Sequence, residues 1–223
     1  MLKALVVADG DVPSREIIDR LLGATPDRLL IVAADGGAIK AESIGLQPDV
    51  VVGDADSLTG DDVERLRAAG AEVIVHPRAK DQSDSELAVR EALGRGASSL
   101  LIVGAFGGRR LEHTLANVLL LGMPELAKVD VSLADGASTL RVVQDGGRLT
   151  LAGRPTDFVS LLPLSDRVTG VTTHGLAYAL SDATMTQGPT RGLSNEMLAD
   201  EAAVIVGSGR LAVVHTHRTG EER

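Results

Sequence analysis

The sequence contains no cysteine and almost no aromatic residues. The lack of cysteine excludes a disulfide framework, a thiolate zinc site and a cysteine nucleophile. Aromatic residues make up 1% of the chain, and they are Phe106, Phe158 and Tyr178. The core must therefore be built from aliphatic side chains. Tyr178 is the one large amphipathic ring available for stacking on a ligand, and packing in the core is its alternative role.

Positive charge is also scarce, because 22 Lys and Arg residues face 31 Asp and Glu residues and leave a net charge of -9. This balance argues against a general nucleic-acid binder, and an anionic substrate would need local cations or a metal ion. The apolar stretch in MLKALVVADGD is too short for a signal peptide or a membrane-spanning helix. We therefore expect a cytoplasmic protein with no membrane role.

The first part of the chain alternates short apolar runs with helix-like segments, a pattern typical of βαβ units. Continuous apolar runs such as SLLIVGA predict strands that are covered on both faces of a parallel sheet. We predict an α/β domain over residues 1–125, with a Rossmann-like, mostly parallel sheet and flanking helices. The helices are predicted at residues 14–22, 38–44, 61–69, 83–93 and 112–121.

The pattern changes after Pro124, where period-two alternation and Gly-rich turns replace the helical period. This change indicates antiparallel β structure, a sandwich or a small barrel, and we predict a β-sandwich over residues 126–223. Hairpin turns are predicted at residues 145–147 and 207–209.

Acidic residues follow two of the predicted strands. The segment GDADS at residues 53–57 ends one apolar run, and the ADGG segment at residues 34–37 ends another. If the chain stays extended, Asp54 and Asp56 face the same way and both reach one Mg²⁺ ion. The alternative is a turn in which Asp and Ser satisfy backbone amides. Ligands of doubly wound sheets collect at these carboxyl ends of the strands.

The segment KDQSDSELA precedes another predicted helix. Ser83 is a candidate N-cap, and Glu86 three residues later would complete a capping box. Capping leaves three charged neighbours unexplained: Lys80, Asp81 and Asp84.

The segment GAFGGRRLEH at residues 104–113 runs from a strand through glycines into a helix. Backbone amides and the helix dipole hold phosphate oxygens in such arrangements. It is neither a Walker loop nor a dinucleotide fingerprint, so its spacing alone predicts phosphate binding only weakly.

Two histidines, His215 and His217, alternate on the predicted last strand, a spacing that would supply half of the ligands of a metal site. Because no acid or third histidine lies beside them in the sequence, we favour a solvated strand end.

The ordered motifs ADGG, PDVVVGDADS, KDQSDSELA, GGRRLEHTLAN, VSLLPL, GVTTHGLAYAL and GLSNE resemble the thiamine pyrophosphokinase family over essentially the whole chain. The resemblance implies transfer of the terminal pyrophosphoryl unit of ATP to the hydroxyethyl oxygen of thiamine, with release of AMP. It also implies a homodimer in which the β-rich half of one subunit meets the α/β half of the other at the thiamine site.

The resemblance further implies the site residues. Asp54, Asp56 and Asp84 match the acids that would hold Mg²⁺ and act in catalysis together with Glu112. The residues implied for ATP and phosphate binding are Asp35, Gly36, Lys80, Asp81, Ser83, Gly107, Gly108, Arg109, Arg110 and His113. For thiamine, Ser194 and Asn195 match the Ser-Asn pair that the family uses near the pyrimidine, and Tyr178 stands where it places an aromatic.

One motif departs from the family pattern, because G-G-R-x-D-H appears here as GGRRLEH, one residue longer and with Glu112 in place of Asp. Three other functions stay open from the sequence. They are a pyrophosphokinase for another hydroxyalkyl heterocycle such as a pterin, a non-catalytic thiamine or nucleotide sensor, and a metal-dependent phosphohydrolase.

Overall fold

A computed structural model describes residues 1–23, 28–108 and 110–218. The chain forms two compact units, Met1–Gly136 and Ala137–Arg223. None of the helices in the described ranges is long and apolar enough to cross a membrane.

The described part of the first unit contains one parallel sheet. Its strand order is β4-β3-β2-β1-β5-β6, and every neighbouring pair is parallel. This arrangement confirms the predicted Rossmann-like sheet. The chain moves outward from β1 to β4 and then returns to β5 on the other side of β1, so the strand order reverses beside β1. The strands are β1 Leu2–Val7, β2 Leu29–Ala34, β3 Val50–Gly53, β4 Glu72–Val75, β5 Ala97–Val103 and β6 Asp130–Ala134.

The helices of this unit begin and end within one residue of the predicted positions. They are α1 Arg15–Leu22, α2 Gly37–Ser43, α3 Gly60–Ala68, α4 Asp84–Gly94 and α5 Leu111–Leu120, followed by a short 3-10 helix at Pro124–Leu126.

Side-chain caps fix the start of two helices. Ser83 is the N-cap of α4, as predicted, and its hydroxyl accepts a hydrogen bond from Glu86 N at 3.2 Å. The Glu86 carboxylate, expected to close a capping box, instead accepts from Arg90 at 2.8 Å. The reciprocal box is formed at α3, between Thr59 and Asp62.

The sheet is covered on both faces, as its apolar strands predict. Residues 4–7 of β1 are fully buried aliphatic side chains. Helix α4 packs across β1, β2 and β3. Because a crossover helix runs antiparallel to the strands it connects, the first turn of α4 lies at the carboxyl ends of those strands.

The second unit is a β-sandwich, as predicted. One layer has the antiparallel order β12-β9-β14-β7 and the other the antiparallel order β11-β10-β13-β8. Aliphatic side chains of both layers share one core. The strands are β7 Ser138–Gln144, β8 Arg148–Ala152, β9 Phe158–Pro163, β10 Arg167–His174, β11 Ala183–Thr186, β12 Asn195–Glu196, β13 Glu201–Ile205 and β14 Arg210–Thr216.

The prediction of hairpins at residues 145–147 and 207–209 was wrong. Both segments turn, but each carries the chain from one layer of the sandwich to the other, from β7 to β8 and from β13 to β14. The two turns bond to each other, with Gly146 N donating to Val206 O at 3.0 Å and Val206 N to Gly147 O at 3.1 Å. Turn residues signal a change of direction, but they do not reveal which layer the next strand joins.

Candidate active site

Three acids far apart in the sequence meet at the carboxyl ends of the first unit's strands. Asp35 follows β2, Asp54 follows β3, and Asp84 begins α4. One carboxylate oxygen from each lies within 4.8 Å of the other two. We call these three residues the acidic group. Asp35 is buried, and the side chains of Asp54 and Asp84 are 11% and 29% exposed.

The backbone at the strand ends makes this convergence possible. Asp35 has a φ of 45° and Ala55 a φ of 58°, so the chain turns sharply after both strands. Gly53 leaves room for Asp35, because a Cβ on Gly53 would lie 2.8 Å from the Asp35 Cβ. The Asp35 carboxylate in turn accepts a hydrogen bond from Ser57 N at 3.1 Å, which fixes the chain that follows β3.

Lys80 lies inside the acidic group. Its Nζ donates to Asp54 Oδ2 at 3.1 Å and lies 3.0 Å from Asp84 Oδ1, outside hydrogen-bond geometry. The hydrogen bond from Lys80 lowers the pKa of Asp54. Burial opposes the charge of Lys80, but Asp84 and Asp54 outweigh it and raise the pKa of the ammonium.

The acidic group has features expected of a Mg²⁺ site. Oδ1 of Asp35 and Oδ1 of Asp84 are buried and have no hydrogen-bond partner. Burial also raises the pKa of Asp35, so its ionised form is poorly stabilised by the protein alone. Mg²⁺ prefers carboxylate, phosphate and water oxygens, so a bound ion would give the buried Asp35 Oδ1 a partner and would add to the charge that Lys80 places beside Asp84 Oδ1. The residues present therefore fit the ion.

Asp56 is placed differently from its partner in the GDADS motif. The extended chain assumed from the sequence is not formed, because Asp54 Oδ1 accepts from Asp56 N at 3.3 Å in a turn. The Asp56 side chain is 48% exposed and lies 3.4 Å from the Arg78 guanidinium. The role of Asp56 as a metal ligand stays a prediction.

The glycine-rich loop predicted to hold phosphate connects β5 to α5. Gly107 and Gly108 adopt positive φ angles of 74° and 76°. Arg110 precedes α5 and pairs with Glu112 at 2.6 Å, and both side chains are about two-thirds exposed. This pair lowers the pKa of Glu112. Arg109 lies outside the described residues.

Two further predicted residues, Asp81 and His113, are exposed near this edge of the sheet.

The sequence interpretation missed the loop after β1. Its Gly10 N donates to Gly104 O at 2.8 Å, which ties the loop to the chain after β5. A Cβ on Gly36 would lie 2.7 Å from Asp9 Oδ1, and a Cβ on Gly107 would overlap the Asp11 carboxylate. Asp9 and Asp11 therefore border the predicted ATP residues. The signal was available, because ADGD follows an apolar run just as ADGG does.

The residues predicted for thiamine meet in the second unit. Tyr178 is 73% exposed, so it does not fill the sandwich core. Asn195 is buried, and its side chain accepts from Tyr178 N at 2.9 Å and donates to Tyr178 O at 2.8 Å. Ser194 is exposed with a φ of 56°, and its N donates to Ser160 Oγ at 3.0 Å. Their contact with thiamine stays a prediction.

The expectation of a solvated strand end was wrong for His215. This residue is 6% exposed, and its Nε2 lies 3.2 Å from Asp157 Oδ2. His217 Nδ1 lies 2.8 Å from the same oxygen. The acid is 58 residues from His215 in the sequence, so no local pattern reveals it. We call Asp157, His215 and His217 the histidine group.

A doubly wound α/β unit with carboxylates and a lysine at its strand ends, followed by a β-sandwich, has the organisation of a group-transfer enzyme. Family models match both units. The thiamin pyrophosphokinase catalytic domain matches residues 25–133, and the thiamin pyrophosphokinase vitamin B1 binding domain matches residues 147–211. The chain therefore belongs to the thiamine pyrophosphokinase family, whose members transfer pyrophosphate.

Individual relatives agree with the family models. The chain is 26% identical to thiamine pyrophosphokinase of Bacillus subtilis over 211 residues, which covers 95% of this chain and 97% of the relative. A crystal structure of the enzyme from Bacillus subtilis matches with a TM-score of 0.82 over 98% of this chain and 100% of that one. A thiamin pyrophosphokinase family protein from Enterococcus faecalis matches with a TM-score of 0.82 at 26% identity, over 97% and 100%. The family inferred from the motifs is confirmed, and the pterin and sensor alternatives are not favoured.

Proposed function

We propose that the chain transfers the pyrophosphoryl group of ATP to thiamine, with Mg²⁺, and gives thiamine diphosphate and AMP. The observation that carries this proposal is the acidic group with Lys80 at the strand ends of the unit that matches the catalytic domain. Bound there, Mg²⁺ would neutralise charge on the transferring phosphates.

Different residues of the chain have different proposed roles in binding the metal ion and the phosphates. The acidic group holds the ion, and Asp56, a short turn away, is proposed as a further ligand. Lys80 is held by Asp54 and Asp84, and its charge lies where phosphate oxygens would be held beside the ion. The backbone amides at the start of α5, which lack a side-chain cap, are available to further phosphate oxygens.

Thiamine is proposed to bind at Tyr178. Thiamine is cationic, and the exposed ring offers a face for cation–π stacking. Asn195 holds the Tyr178 backbone from both sides and so limits where the ring can lie. Ser194, exposed beside Asn195, offers a hydroxyl for a polar group of the ligand.

A homodimer is also proposed, since an apolar stripe on α5 is exposed in the single chain. Leu111, Leu115 and Leu119 recur every four residues, lie on one helix face, and are each more than half exposed. Exposed apolar patches of this kind mark interaction surfaces. Leu115→Glu should lower the mass measured by light scattering from dimer to monomer. Val75→Glu, at another exposed apolar residue, should leave the dimer intact. A chain that is monomeric before substitution would contradict the proposal.

The central experiment incubates the purified chain with ATP and thiamine and identifies the products by mass spectrometry. We expect thiamine diphosphate and AMP in equal amounts, only when Mg²⁺ is present. Phosphate released from ATP without thiamine would instead identify a hydrolase. ATP that remains intact beside thiamine and Mg²⁺ would refute the proposal.

A further inference from the structure

We propose that Asp157, His215 and His217 form a binding site for one divalent transition-metal ion of the zinc type. The site lies in the second unit, it involves none of the residues proposed for ATP or thiamine, and it does not depend on the proposed reaction.

The three donor atoms have the spacing of ligands around one ion. His215 Nε2 and His217 Nδ1 lie 3.2 and 2.8 Å from Asp157 Oδ2, and all three atoms lie within 4.8 Å of one another. Bonds of about 2.0–2.1 Å that meet at right or tetrahedral angles separate two ligand atoms by about 2.9–3.4 Å. The two separations from Asp157 Oδ2 therefore need little adjustment to surround a zinc ion, and the two histidine nitrogens lie within 4.8 Å of each other.

The donors come from a rigid framework. His215 lies on β14, between Thr139 of β7 and Val159 of β9. A His-x-His pair at the end of a strand directs both rings to the same face. His215 is buried, whereas the His217 side chain is 49% exposed and offers an entry path for an ion.

The acid is supplied by a strained turn. Thr156, directly before Asp157, has a φ of 77°, which is costly for a β-branched residue. Its N–H donates to Met197 O at 2.8 Å, and the Asp157 carboxylate accepts from Arg154 N at 3.0 Å and Arg218 N at 3.1 Å. These bonds fix the carboxylate against the two rings.

Glycine keeps one side of the donors free of a side chain. A Cβ on Gly153 would lie 2.8 Å from His215 Nε2, 2.9 Å from Asp157 Oδ2 and 2.7 Å from Met197 Sδ. The two donor atoms and the sulfur thus surround a point that any other residue at 153 would occupy.

The donor chemistry selects the class of ion. Two imidazole nitrogens and one carboxylate suit Zn²⁺ and its first-row neighbours, whereas Mg²⁺ takes oxygen ligands. The buried Asp157 carboxylate also places a negative charge beside the two imidazole nitrogens, which favours a divalent cation at this position.

The test is calorimetric titration of the full chain, free of any affinity tag, with Zn²⁺ in the presence of millimolar Mg²⁺ to occupy the acidic group. We expect one Zn²⁺ per chain at the histidine group and a higher melting temperature with Zn²⁺ bound. His217→Ala should weaken Zn²⁺ binding at least tenfold, since loss of even an outer partner of a metal ligand costs roughly 10- to 100-fold.

Two variants control this experiment. His174→Ala removes an exposed histidine at the end of β10 and should bind Zn²⁺ like the parent. Asp157→Asn should weaken binding as His217→Ala does. If Asp157→Asn fails to fold, the result with His217→Ala decides the test, because the His217 side chain is half exposed and its loss should not prevent folding. The proposal is overturned if the parent binds no Zn²⁺, or if His217→Ala binds it as tightly as the parent.

Discussion

The acidic group of the first unit and the histidine group of the second both converge on buried carboxylates, but they differ in how those carboxylates are satisfied. In the acidic group, Oδ1 of Asp35 and Oδ1 of Asp84 have no hydrogen-bond partner. In the histidine group, both oxygens of Asp157 accept hydrogen bonds, two of them from backbone N–H groups. The acidic group therefore leaves the buried Asp35 Oδ1 for a bound cation to satisfy, in addition to the Lys80 ammonium beside Asp54 and Asp84. The histidine group is hydrogen-bonded even without an ion, and its two histidine contacts would be replaced by bonds to Zn²⁺ when the ion binds.

This difference predicts how much each group contributes to stability before any ion is bound. A buried carboxylate oxygen that has no hydrogen-bond partner adds little to folding, so removal of the acidic group should cost activity more than stability. A fully paired buried group contributes to folding, and its removal leaves donors without acceptors. Asn195, whose side chain bonds to both backbone groups of Tyr178, belongs to the second kind.

The largest effect is expected for Asp54→Asn, which removes one charge from the acidic group but keeps the side-chain shape. We expect kcat to fall by about 100-fold or more, the scale of losing one preorganised electrostatic partner. The melting temperature should change little. Asp61→Asn, in the exposed first turn of α3, is the matched control and should keep full activity. An Asp54→Asn enzyme within a few-fold of the parent at saturating Mg²⁺ would remove Asp54 from the metal site.

The next largest effect, a loss of stability, is expected for Asn195→Ala in the second unit. The change leaves Tyr178 N and Tyr178 O without their partner, which costs about 1–3 kcal/mol of unfolding free energy. Thermal unfolding should show a clear loss of stability, and the thiamine KM should rise because the ring is no longer held. Unchanged stability would mean that water replaces the Asn195 amide, and that these two hydrogen bonds to the Tyr178 backbone contribute little to folding.

Tyr178→Ala tests the exposed ring that the Asn195 side chain positions. We expect the thiamine KM to rise by about tenfold, which is about 1.4 kcal/mol, with little change in the ATP KM. The melting temperature should stay close to that of the parent, because the ring is 73% exposed. A thiamine KM equal to the parent's would exclude stacking on this ring.

The smallest change that we expect is a gain in stability of the first unit from Asp35→Asn, which should also lower kcat because Asp35 belongs to the acidic group. Burial raises the pKa of Asp35 in the folded chain, so the ionised carboxylate destabilises the fold at neutral pH. The melting temperature at pH 7 should rise by a few degrees, on the order of 2–4 °C per kcal/mol for a chain of this size.

The sign of the stability change caused by Asp35→Asn can be checked by measuring the melting temperature at several pH values. Below the unfolded pKa of about 4, Asp35 is protonated in both states and the parent regains the stability it loses as pH rises through the folded pKa. The advantage of Asp35→Asn should therefore shrink as pH falls toward 4. An advantage that is the same at every pH would have another cause.

Much of the first unit could be predicted from local pattern. Its helix boundaries follow from caps and apolar periodicity, and its strands are continuous aliphatic runs such as the one that ends at Val103. The rule that parallel strands gather ligands at their carboxyl ends predicts from the sequence that Asp35 and Asp54 lie at the same edge of the sheet.

The other features of the fold and of the site depend on contacts between distant segments, which local sequence patterns do not encode. The positive φ of Ala55 ends the extended chain that Asp56 was assumed to follow. Asp157 meets His215 only because β9 pairs with β14. The turns at residues 145–147 and 207–209 have hairpin composition, yet pairing of β7 with β14 and of β8 with β13 sends both across the sandwich.

The pairing of β14 has a consequence for the order in which the protein is made. Both β7 and β9 form their ladders with β14, which is synthesised long after them. In the first unit β1 likewise pairs with the later strand β5, but that sheet is complete once β6 has been made, so it can form while the second unit is still on the ribosome. Until β14 has been synthesised, the backbone groups of β7 and β9 that pair with it remain without those partners, and aliphatic side chains of the core remain exposed. Such a state folds slowly and is prone to aggregate. Cells that make this protein in quantity should therefore need chaperones chiefly during the last stretch of its translation.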